Sequence, residues 1–302
     1  MKLSLTDLFE PVPLDDRAIT KTFYENRPAG AGPDSPQQLG LMRATKAESN
    51  TAPTRAVEHT VDVGGRSVSL RVITPKDRAV TGVYLYIPGG GFYMSSAAGA
   101  DARNTALADA VGAAVVCVDY RLAPESPWPA APDDCEAAAL WLLDVAAERF
   151  GTTRFVIGGM SAGSTLAMTT LLRLRDRGLA TSFLGAVLEA GTYDISAQTP
   201  AGRTIAEEYF IEAYVGHVDD RTIPDISPTF GDLSDLPPTL VVIGSQDAVL
   251  AENLAMVARL SAAGNDVDLR LYPDVPHGFA GHATPIGRRA RLDINAWIGS
   301  RF

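Results

Sequence analysis

The chain has 302 residues, 46% of them hydrophobic and 21% charged, which is the composition of an ordinary folded protein and excludes the disordered and fibrous classes. A formal net charge of −10 opposes attraction to nucleic acid and to anionic lipid surfaces, which carry the same sign, and leaves a small neutral molecule as the expected partner. Asp7, Glu10, Asp15 and Asp16 break up the apolar residues near the N-terminus, and every other apolar run is strand-sized. Neither a secretory signal nor a membrane span is therefore expected, and the sequence reads as cytoplasmic.

Residues 1–55 mix Pro and Gly with short amphipathic pieces at 18–24 and 37–46 and carry no strand pattern. They predict a helical cap segment ahead of a catalytic domain spanning 56–302. Two β-type runs follow, Val57–Val63 and 68–73, joined through Gly64 and Gly65, whose freedom at positive φ suits a hairpin. Strand and helix then alternate: 80–87 with 102–110, 113–118 with 132–150, and 154–157 with 162–177. The series ends with 185–189, 239–243 with 251–263, and 268–272 with 286–298. Continuous apolar strands separated by amphipathic helices predict an α/β fold with a mostly parallel central sheet covered on both faces.

The alternation breaks at 192–235, which holds Tyr193, Tyr209, Phe210, Tyr214 and Phe230 but no strand signal. Insertions of that length in compact domains are usually functional, and a lid is expected there. Two cysteines make no disulfide framework. Cys117 lies in the apolar run 113–118 and reads as a buried, inert thiol, while Cys135 opens a helical segment.

The sharpest chemical signal is Gly159-Met160-Ser161-Ala162-Gly163, set between the strand 154–157 and the helix that starts at Ala162. A nucleophile on a strand-to-helix turn needs small neighbours for so tight a backbone, and the helix N-terminus behind Ser161 offers free N–H groups to an oxyanion. Pro88-Gly89-Gly90-Gly91-Phe92 follows the strand 80–87, at the sheet edge where open α/β sheets bind ligands; it reads as an oxyanion loop or as a plain flexible turn. A serine hydroxyl needs a base, and the base needs an acid to orient it. Of the four histidines, His59 lies in the first strand, His217 in the expected lid and His282 in a polar loop, whereas His277 follows the last strand directly. Asp247, just past 239–243, is preferred as the acid over Asp274 and Glu252. Ser161, Asp247, His277 is then the chain order of the α/β-hydrolase fold.

The residues Gly89-Gly90-Gly91-Phe92, Asp119-Tyr120-Arg121-Leu122-Ala123-Pro124-Glu125, Trp128-Pro129-Ala130, Ser161-Ala162-Gly163 and Pro276-His277-Gly278-Phe279 resemble the bacterial hormone-sensitive-lipase-like esterases of the α/β-hydrolase superfamily. The resemblance runs from about Val57 to the C-terminus, and the 119–125 block is its most specific part, expected to tie a loop beneath the site. It implies a serine carboxylesterase for short to medium acyl chains, with Ser161 as nucleophile, His277 as base and Asp247 as orienting acid. It also implies the N–H groups of Gly89, Gly90 and Ala162 as the oxyanion hole, a helical cap over the pocket, and no metal or cofactor. Two positions depart from the family: Pro88 where His is usual, and Met160 where Asp is usual. Pro lacks an N–H, but the expected donors belong to the residues after it. An amide, formamide or carbamate hydrolase with the same three residues, and a hydrolase-like receptor that binds without turnover, are the alternatives. A homodimer is compatible with the sequence.

No pair of histidines has metal-ligand spacing on one helix face, and neither glycine loop has the Gly-x-Gly-x-x-Gly spacing of a dinucleotide site. Metal and nicotinamide chemistry are accordingly not expected.

Overall fold

A computed structural model describes residues 4–27, 32–49, 54–94, 96–205 and 208–302. The N-terminal region forms α1 (Leu14–Glu25) and α2 (Pro36–Ser49), both longer than their amphipathic cores suggested. The hairpin forms as β1 (Val57–Val63) and β2 (Arg66–Ile73), turning on Gly64 and Gly65 at φ of 56° and 78°. Six further strands follow: β3 (Gly82–Ile87), β4 (Ala113–Asp119), β5 (Phe155–Met160), β6 (Phe183–Glu189), β7 (Thr239–Gly244) and β8 (Val267–Tyr272). They join in one sheet of order β1-β2-β4-β3-β5-β6-β7-β8, in which β2 runs antiparallel to both neighbours and all pairings from β4 to β8 are parallel.

The crossovers carry α3 (Asp101–Val111), α4 (Ala130–Phe150), α5 (Ala162–Asp176), α6 (Tyr209–Val215) and α7 (Leu250–Ala262), and α8 (Pro285–Gly299) follows β8. Strand pleating sorts side chains between two cores. Tyr84 and Tyr86 of β3 face a cluster with Leu107 of α3 and Ile294 of α8, while Val83, Leu85 and Ile87 face one with Leu142 of α4, Leu166 of α5 and Met256 of α7. Leu85 is wholly buried, a burial that stabilises by about 1.5–3 kcal/mol for a side chain of this size. Both faces are covered, which is why the strands read as unbroken apolar runs.

α4 begins two residues earlier than the sequence pattern suggested. Pro132 then lies in its first turn, where a missing N–H costs no helical hydrogen bond. Cys117 and Cys135 are both free thiols with no exposed surface to speak of, and burial pushes both pKa values up.

The N-terminal segment is tied to the far edge of the sheet. Glu10 N–H donates to the Leu271 carbonyl at 2.8 Å, and the Phe9–Leu271 bridge extends β8 by one parallel step. Arg17 of α1 donates to Asp274 at 2.5 and 2.9 Å. The segment 192–235 holds no strand among its described residues; it folds as short 3-10 turns at Gly202–Ile205 and Pro228–Phe230 around α6. Among the described residues no helix is long and apolar enough to cross a membrane.

Candidate active site

Because β3, β5, β7 and β8 run parallel, the loops that follow them open on one edge of the sheet. The residues singled out in the sequence lie on those four loops.

Ser161 sits between β5 and α5 at φ 55° and ψ −124°, a backbone conformation that is costly for a residue with a Cβ and persists only where its surroundings hold it. Its N–H donates to the Glu189 carbonyl at 2.7 Å, and its own carbonyl accepts from the N–H groups of Ser164 and Thr165 at 2.8 and 3.2 Å. The small neighbours are sterically required. A Cβ on Gly163 would stand 2.0 Å from the Ile87 oxygen, and one on Gly159 would stand 2.3 Å from the Gly163 oxygen. The turn therefore presents the Ser161 hydroxyl outward while packing its backbone against β3.

Two loops bring the acid and the imidazole together. The N–H groups of Ser245 and Gln246 donate to Tyr272 and Val275 carbonyls at 2.9 and 3.1 Å, zipping the loop after β7 to the loop after β8. Gly244 lies so close that a Cβ would come within 2.2 Å of the Val275 oxygen. Asp247 is buried, and its Oδ1 accepts the Val249 N–H at 3.0 Å. Both Asp247 oxygens lie 3.0 Å from His277 Nδ1, and His277 Nε2 lies 2.9 Å from Ser161 Oγ. The three side chains predicted from the sequence thus form one continuous hydrogen-bonded line.

The competing groups have other partners. Asp274 pairs with Arg17. Glu252 is buried and accepts the Tyr193 N–H at 2.9 Å, so it anchors the entry to the 192–235 segment. His59 contacts Arg149, His217 the Trp128 carbonyl, and His282 the Tyr24 hydroxyl.

The glycine loop is held from below and from the side. Tyr120 Oη donates to the Pro88 carbonyl at 2.9 Å, a bond to the main chain that is indifferent to the side chain at position 88. Asp119 accepts the Ala97 N–H at 2.7 Å, Arg121 pairs with Asp134 at 2.8 Å, and Glu125 with Arg43 at 2.7 Å. The 119–125 block is thus the loop tie that its composition suggested. Arg43 of α2 also donates to the carbonyls of Tyr93 and Ala123 at 2.7 and 2.6 Å, a clamp with no sequence signal because it joins residues 50 and 80 positions apart. Phe92, at φ 62°, stacks on Tyr214 of α6 with centroids 4.0 Å apart and planes within 1°.

A cavity of about 320 Å3 opens above these residues, lined among others by Gly90, Gly91, Met160, Ala162 and Phe210 together with Ser161 and His277. Gly90 and Gly91 have φ of 133° and 59°, conformations open to glycine. Gly89, expected as a donor beside them, is half-buried like its two neighbours, and a Cβ on it would lie 2.4 Å from the Met160 oxygen. Among the described residues the N–H groups of Gly89, Gly90, Gly91 and Ala162 have no backbone acceptor, as expected of groups facing a ligand site. Among the described residues no group of three or more His, Cys, Asp and Glu side chains stands together in a way that would hold a metal ion.

Comparison with known proteins identifies the family. A family model described as the alpha/beta hydrolase fold matches residues 84–281. Carboxylesterase NlhH of Mycobacterium tuberculosis is 34% identical over 247 residues, covering 76% of this chain and 76% of its own. The ethyl acetate hydrolase of Pseudomonas putida is 32% identical over 231 residues, covering 71% and 72%. The crystal structure of a hormone-sensitive lipase from a metagenome library superposes with a TM-score of 0.76 at 30% identity, covering 97% of this chain and 99% of that one. The chain belongs to the α/β-hydrolase fold family and, within it, to the hormone-sensitive-lipase-like esterases, which makes it a carboxylic ester hydrolase.

Proposed function

We propose that the chain hydrolyses esters of short to medium acyl chains through a covalent acyl-enzyme on Ser161, with His277 as general base and Asp247 as its orienting acid. The observation that carries the proposal is the unbroken line from Ser161 Oγ through His277 to Asp247, with links of 2.9 and 3.0 Å. Asp247 accepts a hydrogen bond from Nδ1–H, which keeps that proton on the ring and leaves the Nε2 lone pair facing the serine hydroxyl. As Ser161 Oγ forms its bond to the ester carbonyl carbon, its proton passes to Nε2 and the carbonyl electron pair moves onto oxygen. Collapse of that tetrahedral species breaks the bond to the alcohol, which leaves with the Nε2 proton. Water repeats the sequence on the acyl-serine and releases the acid.

The oxyanion needs donors aimed at its position, and such donors contribute about 3–4 kcal/mol each to catalysis of this kind. Gly90 and Ala162 fill that role in this reading. The N–H of Gly89 is their third partner, as the sequence suggested, with Gly91 lining the cavity beside it. α2 and the 192–235 segment together form the cap, since Arg43 grips the glycine loop and Tyr214 stacks on it. A cavity of about 320 Å3 lies near the small end of ligand sites, which favours short acyl groups. The ethyl acetate hydrolase among the relatives is in keeping with that size.

Reaction with a fluorophosphonate tests the proposal. The expected result is one adduct per chain, found by peptide mass spectrometry on the segment containing Ser161. An unlabelled chain, or a label on another serine, would remove Ser161 from the mechanism.

A further inference from the structure

A second cavity, of about 440 Å3, lies between α3 and α8 and shares no lining residue with the one at Ser161. Three guanidinium groups line it, Arg103 from α3 and Arg288 and Arg291 from α8, and no Asp or Glu does. Arg103 is engaged: it pairs with Glu189, lies 3.0 Å from the Tyr86 hydroxyl and covers the Tyr86 ring at 4.7 Å. Arg288 and Arg291 are not neutralised. Arg288 donates to the Ala283 carbonyl at 3.1 Å, and Arg291 donates to the carbonyls of Ala280 and, at 3.1 Å, His282; neither has a carboxylate partner among the described residues. Burial, and then the like charges of Arg103 and Arg288, push the Arg291 pKa down against the opposing pull of the Glu189 carboxylate.

Three guanidinium groups here share a single carboxylate among the described residues, that of Glu189, an excess of positive charge in a chain whose net charge is −10. Carbonyl contacts use only part of each guanidinium's five donors, leaving N–H groups free to take a planar or tetrahedral anion. Asn295 apart, the rest of the lining is small or aliphatic; Leu107 and Ile294 are buried, and Leu292 is 65% exposed. Guanidinium groups and hydrocarbon lining one cavity suit an amphiphile.

We propose that this cleft binds a small amphiphilic anion, its carboxylate or phosphate head on Arg288 and Arg291 and a short alkyl tail along Leu107, Leu292 and Ile294. The acid released by ester hydrolysis belongs to this chemical class. The cleft is also joined to the reaction site, because Arg103 holds Glu189, whose carbonyl accepts the Ser161 N–H. Only this last link depends on the acyl-enzyme reading; the binding site does not.

Calorimetric titration of the whole chain with hexanoate and with hexyl phosphate tests the proposal, after the Ser161 cavity has been filled by reaction with diethyl p-nitrophenyl phosphate. One site with Kd of about 1 mM or tighter is expected for at least one of the two, and the tighter one identifies the head group. Arg288→Glu, at an exposed position, and Arg291→Gln should each weaken it by about 10-fold or more at unchanged melting temperature. Absence of binding up to about 10 mM, or equal binding by Arg288→Glu and the parent, would overturn the proposal. Binding of acetate or inorganic phosphate as tight as that of the tailed compounds would overturn it too, since the aliphatic lining would then contribute nothing. If the phosphate ester fails to react with Ser161, the mechanism proposed above fails while the α8 variants still report on the cleft.

Discussion

Gly163 and Ile87 approach so closely that a Cβ on the glycine would lie 2.0 Å from the Ile87 carbonyl oxygen. The contact joins the first turn of α5 to the end of β3, and so couples the serine turn to the loop that carries the glycine triplet. A methyl group there must push main chain against main chain. Gly163→Ala is expected to lower stability by about 3 kcal/mol in a urea melt and to reduce turnover by about 100-fold or more by tilting Ser161. Gly40→Ala on the exposed face of α2, where nothing lies within 4 Å, serves as the contrast and should stabilise by about 0.5–1 kcal/mol.

The two 3.0 Å contacts between Asp247 and His277 Nδ1 fix the imidazole tautomer, and the Val249 N–H at Oδ1 fixes the carboxylate. Asp247→Asn keeps the shape but offers an amide that can turn a donor toward the ring. kcat for p-nitrophenyl butyrate should fall by about 10^3 to 10^4, with KM changed by less than about 3-fold. A rise in KM with kcat preserved would mean that Asp247 acts in binding alone.

The Phe92–Tyr214 stack makes the 192–235 segment a support of the glycine loop as well as a cover. Tyr214→Ala leaves a buried gap and should cost about 3–5 kcal/mol, whereas Tyr214→Phe keeps the stack. The split in kinetics is the discriminating readout: the alanine variant should lose kcat by about 10-fold from a loosened oxyanion loop, and the phenylalanine variant should stay within about 2-fold of the parent. Equal kinetics for the two variants would reduce the contact to simple core packing.

Burial raises the Glu252 carboxyl to about 7 from an ordinary 4.5, opposed in part by the Tyr193 N–H, and its Oε1 has no partner among the described residues. The folded state therefore favours the protonated acid. That contribution is whole below about pH 4.5 and is lost as the pH rises through 7. Glu252→Gln, which keeps the acceptor for Tyr193, should raise the melting temperature at pH 8 by roughly 3–5 °C and by almost nothing at pH 5. A gain at pH 5 as large as that at pH 8 would show that titration of Glu252 is not the cause.

What the sequence disclosed, and what it concealed, follows from the range over which each feature acts. β3, β4 and β7 were legible because both of their faces are buried, whereas β5 read short because Gly158 and Gly159 carry no side chain to signal a strand. The line from Ser161 to Asp247 was legible because a parallel sheet sends every strand's following loop to the same edge. Arg43 on the glycine loop, Arg17 on Asp274 and the Phe9–Leu271 bridge were not, since a single long-range contact leaves no periodic trace. Which of the three consecutive glycines turn their N–H groups toward a ligand depends on their φ angles, and no sequence pattern carries those.

The central claim is that Ser161 is the nucleophile, and the turnover of p-nitrophenyl butyrate by Ser161→Ala tests it most directly. The account predicts a loss of kcat on the order of 10^6, with the melting temperature unchanged within about 2 °C. Hydrolysis by the folded variant at a rate near that of the parent would contradict it.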